Sequence, residues 1–343
     1  MKVSRIHECG GPDVIRYEDA PVPRVKANEV LVRVRACSLN HLDLWVRGGL
    51  PTLRLDFPWV LGSDASGEIV EVGELCNRAK PGDRVLVAPG RTLSPGYQTA
   101  HGLDNWAPDY GLFGAVYPGL NAEYVAIPEA NVLPVPGTLT YEEAASVPLV
   151  FLTAWHMLVG IAKIGMLEDV LVIGGSSGVG IAAIQIAKLH HCNVIATAGG
   201  DEKMAKAKEL GADHVIDHYK QSIKEEVKTI TGRRGVDLVF EHVGRATFGH
   251  STAALARQGR LVTCGATTGF ETQLNLGHLF SKHLSIHGSY MGTMGELYDL
   301  LRFFERGLLR PVLDQVFPLS DVQGAHERMA AKQHFGKIVI VPE

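Results

Sequence analysis

A run of small residues, Gly174-Gly175-Ser176-Ser177-Gly178-Val179-Gly180, follows an apolar stretch at 170–173 and opens a helical pattern at 179–190. Such residues let the main chain approach a pyrophosphate, and a helix N-terminus offers free N–H groups and the positive end of a dipole. Gly175, Ser176, Ser177, Gly178 and Val179 are therefore candidate phosphate contacts. Gly180 is the position for close helix–strand packing. The spacing, Gly175-x-x-Gly178-x-Gly180, departs from strict GxGxxG. Its weight comes from the strand before it and the helix after it. A tight turn with no ligand is the plainer alternative.

The end of the next strand discriminates between dinucleotides. An acidic residue there binds the ribose 2′-hydroxyl of NAD and repels a 2′-phosphate. Here the strand pattern 194–197 runs into Ala198, Gly199 and Gly200, with Asp201 and Lys203 following. The glycine pair leaves space and Lys203 can pair with a 2′-phosphate, so the reading favours NADPH. Should the strand end later, Asp201 becomes a ribose acceptor and the preference reverses. Lys203 as a solvated residue of a helix's first turn is the plainer alternative.

The elements that hold these residues follow from pattern. Short apolar runs at 170–173, 194–197, 214–216, 237–240, 261–263 and 284–287 alternate with helical patterns at 179–190, 202–210, 223–230 and 247–255. That alternation predicts a parallel sheet with helices on both faces, a doubly wound α/β fold. The first 135 residues read differently. Segments 30–36, 68–72, 84–87 and 123–127 are short, β-branched and bounded by turn residues, which predicts a β-rich region. Residues 89–120 are rich in Gly, Pro, Asn and aromatics without periodicity and read as a long lobe. A helix around 295–305 and a final strand at 335–341 complete the pattern.

Composition narrows the function. At 343 residues, and roughly 150 per domain, about two domains are expected. With 46% hydrophobic and 20% charged residues the chain is globular. Its 33 basic and 37 acidic residues give −4, which argues against dedicated nucleic-acid binding. Five scattered cysteines without a CxxC pair fit a reducing compartment. The N-terminus has no apolar signal-like run, and the uncharged stretch 144–162 contains Ser146, Pro148, Thr153 and Gly160, so it reads as a buried helix. A cytoplasmic protein without membrane spans is expected.

Over essentially its whole length the chain resembles the medium-chain dehydrogenase/reductase superfamily, in its quinone oxidoreductase and alcohol-dehydrogenase-like branch. The matching pieces are GGPDVIRYEDAPVP near the start, RACSLNHLDLWVRGG (35–49), VLGSDASGEIVEVG (60–73), KPGDRV (80–85), NAEYVAIP (121–128), EEAASVPLVFLTAW (142–155), the glycine turn and the closing FGKIVIVPE. The resemblance implies a Rossmann doubly wound sheet (151–287) inserted in a GroES-like, β-rich, partly open barrel domain (1–150 and 288–343), with the active site in a cleft. It also implies a homodimer or homotetramer, through pairing of the sixth strand.

The resemblance further assigns residues. Zinc-dependent members ligate the metal through a Cys, a His and a further Cys or Asp. The matched positions here are Asn40, Ser63 followed by Asp64, and Leu149. One carboxylate cannot hold zinc, so no metal is expected. The cysteine-free segment 89–121 cannot form a four-thiolate site, and the lobe is expected to be held by Trp106, Tyr110, Phe113 and prolines. Without a Lewis acid, hydride transfer to an activated acceptor is easier than oxidation of a simple alcohol. The expected function is thus metal-free, NADPH-dependent reduction of a quinone or α,β-unsaturated carbonyl. A zinc-free NAD(P)-dependent alcohol or aldehyde dehydrogenase and a non-catalytic NADPH-binding protein are the alternatives. Asn40 is the expected hydrogen-bond donor to the acceptor or the cofactor ribose, unless it merely caps the helix after it. His41 is assigned to a cofactor phosphate or a proton relay, and Asp43 to orienting them. Thr153, Gly244, Cys264, Gly265, Ala266, His287 and Ser289 are expected beside the dinucleotide, His218 beside its adenine or 2′-phosphate, and Lys337 reaching in from the tail.

Overall fold

A computed structural model describes residues 1–343. The chain divides into two compact units, Met1–Leu149 with Thr293–Glu343, and Val150–Gly292.

In the second unit, strands Asp169–Val172, Asn193–Ala198, His214–Asp217, Val236–Glu241, Leu255–Thr263 and Ser285–Gly288 form one all-parallel sheet. Their spatial order is third, second, first, fourth, fifth, sixth. This is the doubly wound arrangement, reversing direction beside the first strand, where the glycine turn emerges. The central strands are buried on both faces, which explains why they read as apolar runs rather than alternations. Leu171, Ile195, Ile216, Val239 and Leu261 share one core with Val227 and Phe248 of the helices. The fifth strand starts at Leu255, six residues before the expected one, because Gln258, at φ +63°, and Gly259 interrupt the apolar pattern without ending the strand.

The first unit is β-rich. A seven-stranded sheet runs Val132–Pro134, Arg84–Val87, Asp64–Val72, Glu29–Ser38, Lys337–Val341, Leu313–Pro318, with Tyr124–Pro128 also paired to Glu29–Ser38. The C-terminal strand is thus central and not an edge. Register sets Ser38 opposite Asp64 on one side and opposite Val339 on the other. Side chains alternate along a strand, so Lys337, two residues before Val339, shares its face. Three distant parts of the sequence meet there. The strand Leu313–Pro318 and the helix Val322–Ala330 carry no strong pattern in the sequence.

In segment 144–162, Ala144 and Ala145 end the short helix Tyr141–Ala145, and beyond the intervening Ser146 and Val147 the expected, largely buried helix runs Pro148–Trp155 and continues as a π-helical turn, His156–Ile161. No helix is long and apolar enough to cross a membrane.

Candidate active site

The glycine turn is built as a cradle without side chains. A Cβ on Gly180 would overlap the Gly174 carbonyl oxygen and lie 2.9 Å from the Gly175 Cα. The helix therefore meets the strand at backbone distance. Gly174 has φ +67°, open to glycine without strain, and a Cβ there would press on the His242 ring. Ser177 caps the helix Gly178–Leu189: its Oγ accepts from the Gly180 N–H at 3.0 Å and donates to the Gly174 carbonyl at 2.8 Å. Gly178 and Val179, at the first helical positions, have no intrahelical acceptor for their N–H groups. These are the donors a pyrophosphate takes.

The strand ends frame the rest of this site. The second strand ends at Ala198, so Asp201 falls on the first turn of the following helix, Asp201–Glu209, and not on the strand. Its side chain is exposed, with the Lys220 ammonium 3.7 Å away. Lys203 is half-buried on the same helix. Tyr219 lies over Gly199, where a Cβ would overlap its ring, and is 73% exposed; the exposed His218 ring is 4.4 Å from it. Gly200, at φ +85°, has open space above it. Sequence reasoning missed Lys220. Its only signal was position, directly after the third strand.

At the fourth strand's end the buried Glu241 carboxylate organises the turn. It accepts from the N–H groups of Val243 (2.6 Å) and Gly244 (2.9 Å) and from the hydroxyls of Thr247 (3.0 Å) and Ser251 (2.6 Å). Gly244 has φ +86°, and a Cβ there would lie 2.8 Å from the Ala266 Cα. This close approach ties Gly244 to the Cys264-Gly265-Ala266 segment. Burial and the Glu241 charge push the Cys264 thiol up to about 12, so it stays protonated and is a poor nucleophile. His242 is buried with Nε2 at 3.2 Å from Ser177 Oγ, and burial draws its pKa down. Thr153 is buried with its hydroxyl 3.5 Å from Met291 Sδ. His287 is half-buried on the sixth strand. Ser289 donates its N–H to Thr263, while its buried Oγ has no partner. This orphaned buried hydroxyl at the end of the sixth strand leaves an acceptor and a donor for a polar partner. The residues of this unit fit a dinucleotide.

The first unit holds a second polar cluster. Asn40 precedes the helix His41–Gly48, and its N–H donates to the Asp43 carboxylate at 2.8 Å. Asp43 also accepts from the Gly62 N–H at 2.8 Å. Burial pushes its carboxyl up to about 6 against those two hydrogen bonds. The Asn40 side chain points inward: Nδ2 donates to Asp64 Oδ2 at 2.8 Å and Oδ1 accepts from Lys337 Nζ at 2.5 Å. Lys337 Nζ also reaches the Leu39 carbonyl (2.8 Å) and Asp64 (3.2 Å). Burial draws the Lys337 pKa down while Asp64 opposes it. His41 is half-buried with its ring edge-on to Trp45 at 5.1 Å.

The comparisons with known proteins agree with this geometry. Residues 26–137 match the alcohol dehydrogenase GroES-like domain and residues 178–306 the zinc-binding dehydrogenase family. A zinc-type alcohol dehydrogenase-like protein of Schizosaccharomyces pombe is 32% identical, covering 97% of this chain and 96% of its own. The chain belongs to the medium-chain dehydrogenase/reductase superfamily, in its quinone oxidoreductase-like branch. The quinone oxidoreductase of Homo sapiens is 29% identical over 96% of this chain and 94% of that one. A solved structure of an NAD-dependent alcohol dehydrogenase is 42% identical, with a TM-score of 0.96 and 99% of both chains covered. The protein is thus an oxidoreductase of this superfamily with the GroES-like and Rossmann parts expected.

One of the matching families is named for zinc, and the residues here do not fit that metal. Catalytic zinc takes thiolate, imidazole and carboxylate ligands. The matched positions offer an amide, a hydroxyl, one carboxylate and an apolar side chain, and a lysine ammonium sits against the carboxylate. Ser63 Oγ donates to the Phe113 carbonyl at 2.7 Å.

Three expectations change. Lys337, expected at the cofactor, has all its donors taken by Leu39, Asn40 and Asp64 and is 4% exposed. The register of the central C-terminal strand, invisible in sequence, turns it inward. Asn40 is neither a free donor nor a side-chain cap; its amide is bonded at both ends within the cluster. In the lobe, Phe113 is buried and Tyr110 packs under Gly90, but Trp106 is 59% exposed, too open to be the expected anchor. Asp109 performs that task, accepting from the N–H groups of Leu93 and Ser94 at 3.0 Å each.

Proposed function

We propose that this protein reduces a quinone or an α,β-unsaturated carbonyl with NADPH and without a metal. The observation that carries the reading is the donor set at 40, 63, 64 and 149, which has a single carboxylate, paired to Lys337. An activated acceptor needs less polarisation than a simple alcohol, because the charge it gains spreads over an enolate or phenolate. Bound NADPH supplies the hydride. The N–H groups of Gly178 and Val179 hold its pyrophosphate, the glycine cradle giving them access. Lys203 and Lys220 bind the 2′-phosphate above Gly199 and Gly200, with Lys220 also neutralising Asp201. The main chain of Cys264, Gly265 and Ala266, with Thr153, His287 and Ser289, orients the nicotinamide. His41 delivers the proton to the reduced acceptor, and Asp43 fixes the start of its helix. We further propose a cytoplasmic homodimer or homotetramer in which the sixth strands pair.

A second reading has its own support. The 42%-identical solved structure is of an NAD-dependent alcohol dehydrogenase, which favours NAD and an alcohol or aldehyde as substrates. A panel of benzoquinone, an enal, a simple aldehyde and a simple alcohol, each with both cofactors, separates the readings. Turnover of the quinone or enal with NADPH at least about tenfold above NADH supports the first. Alcohol oxidation with NAD and no quinone reduction would replace it with the second.

A further inference from the structure

We infer that the place of the catalytic metal is filled in this chain by the ammonium group of Lys337, so that the cluster, once emptied of that side chain, would take one small primary ammonium ion in its stead. The inference shares the metal-free reading proposed above, but its test reads stability and needs neither substrate nor cofactor.

The geometry is that of a cation in an oxygen cage. Lys337 Nζ has three acceptors: the Leu39 carbonyl at 2.8 Å, Asn40 Oδ1 at 2.5 Å and Asp64 Oδ2 at 3.2 Å. A neutral amine has two N–H donors and an ammonium has three, so the count calls for the charged form. The acceptors are a main-chain carbonyl, an amide and a carboxylate. Such hard oxygens suit an ammonium and lack the sulfur or nitrogen that zinc takes. The nearest thiol, Cys37, is turned away and bonded to the Leu120 carbonyl at 3.1 Å.

The cage is held from outside. Asp64 is fully buried; its Oδ1 accepts from the Leu149 N–H at 2.9 Å, and its Oδ2 from Asn40 Nδ2 at 2.8 Å. Ser38 Oγ, 3.3 Å from the same oxygen, donates to the Ala145 carbonyl at 2.8 Å. Asp43 fixes Asn40 through its N–H. The amide of Asn40 has one orientation that serves both neighbours, with oxygen toward Lys337 and nitrogen toward Asp64. A divalent ion would have to displace a tethered cation from Asp64, the one carboxylate at the matched positions, Asp43 being held by the Asn40 and Gly62 N–H groups, so the lysine excludes the metal as well as replacing it.

Lys337→Ala removes the equivalent of a propylammonium ion and leaves the three oxygens in place. The thermal midpoint of this variant is expected to fall by about 10 °C. Propylammonium chloride should recover at least half of the loss, saturably. Tetramethylammonium chloride at the same ionic strength, having no N–H, should recover none. Lys337→Met, which fills the space with an apolar chain, should fall similarly and gain nothing from propylammonium. Equal effects of the two salts on Lys337→Ala, or a Lys337→Met protein as stable as the wild type, would overturn the inference. Should Lys337→Ala fail to fold, the pair Lys337→Met and Lys337→Met with Asp64→Asn decides. Neutralising Asp64 should raise the midpoint of the methionine variant; a further fall would overturn the inference.

Discussion

The glycine turn of the Rossmann unit and the Asn40–Asp64–Lys337 cluster of the GroES-like unit show two ways of building a site. The turn works by what its residues lack. Gly174, Gly175 and Gly180 give up side chains so that the turn, the helix and the neighbouring strands pack at close distance, and Ser177 closes the helix end locally. The cluster works by what its residues supply. Its carboxylate, amide and ammonium come from positions 40, 64 and 337 and satisfy one another. A site built from absences is open to a ligand. A site built from mutually satisfied polar groups is closed to one, and its stability depends on each member.

The largest expected effect breaks the closed site. Asp64→Ala leaves the Lys337 ammonium buried without its counter-charge and should cost about 3–5 kcal/mol in denaturant unfolding. A loss below about 1 kcal/mol would mean that the pair is not the structural centre of the cluster. A second buried polar pair sharpens the comparison. Arg47 lies 2.9 Å from Nδ1 of the fully buried His326, whose Nε2 has no partner. Burial, and then the Arg47 charge, pull the His326 pKa down to about 3. Its unfolded value is about 6.5. The contribution is fully present above pH 6.5. It is lost as pH falls toward 3, because the unfolded chain takes up a proton that the folded one refuses. The slope should approach about 1.4 kcal/mol per pH unit in that window. His326→Gln should flatten the acid limb of a stability–pH curve; an unchanged limb would assign the acid sensitivity to other groups.

The open site should respond differently. Gly180→Ala forces a methyl against the Gly174 carbonyl, a backbone atom that cannot rotate away. We expect about 1–3 kcal/mol of destabilisation, with cofactor affinity falling by more than about tenfold by fluorescence titration. Retained affinity would show that the turn is not where the pyrophosphate sits. The smallest effect is at the rim. Lys203→Ala should weaken NADPH by about fivefold while changing NADH little, since one exposed ion pair is worth about 1 kcal/mol. Equal losses for both would remove the 2′-phosphate role.

The same contrast explains what could be read in the sequence. The glycine turn, its strand and its helix are contiguous, so residues 170–190 announce their structure in the sequence. The six parallel strands were legible because burial on both faces writes them as apolar runs. The cluster was not legible, because its geometry depends on strand register: Ser38 opposite Asp64, and Val339 opposite Ser38. Nothing local to Lys337 says that its strand is central, although a lysine opening an apolar run, Lys337–Val341, was a usable hint. Lys220 was missed for a related reason, since its nearness to Asp201 arises from the adjacent ends of two strands. The strand Leu313–Pro318 hides because its middle, Asp314 and Gln315, is polar, and Asp314 is committed to Arg328.

The most direct test measures metal content and activity on one preparation of the wild-type protein. NADPH oxidation with benzoquinone is followed before and after treatment with a strong chelator, alongside elemental analysis for zinc. The account predicts far less than one zinc per chain and an unchanged rate. One tightly held zinc per chain, with activity lost on its removal and restored on its return, would contradict it.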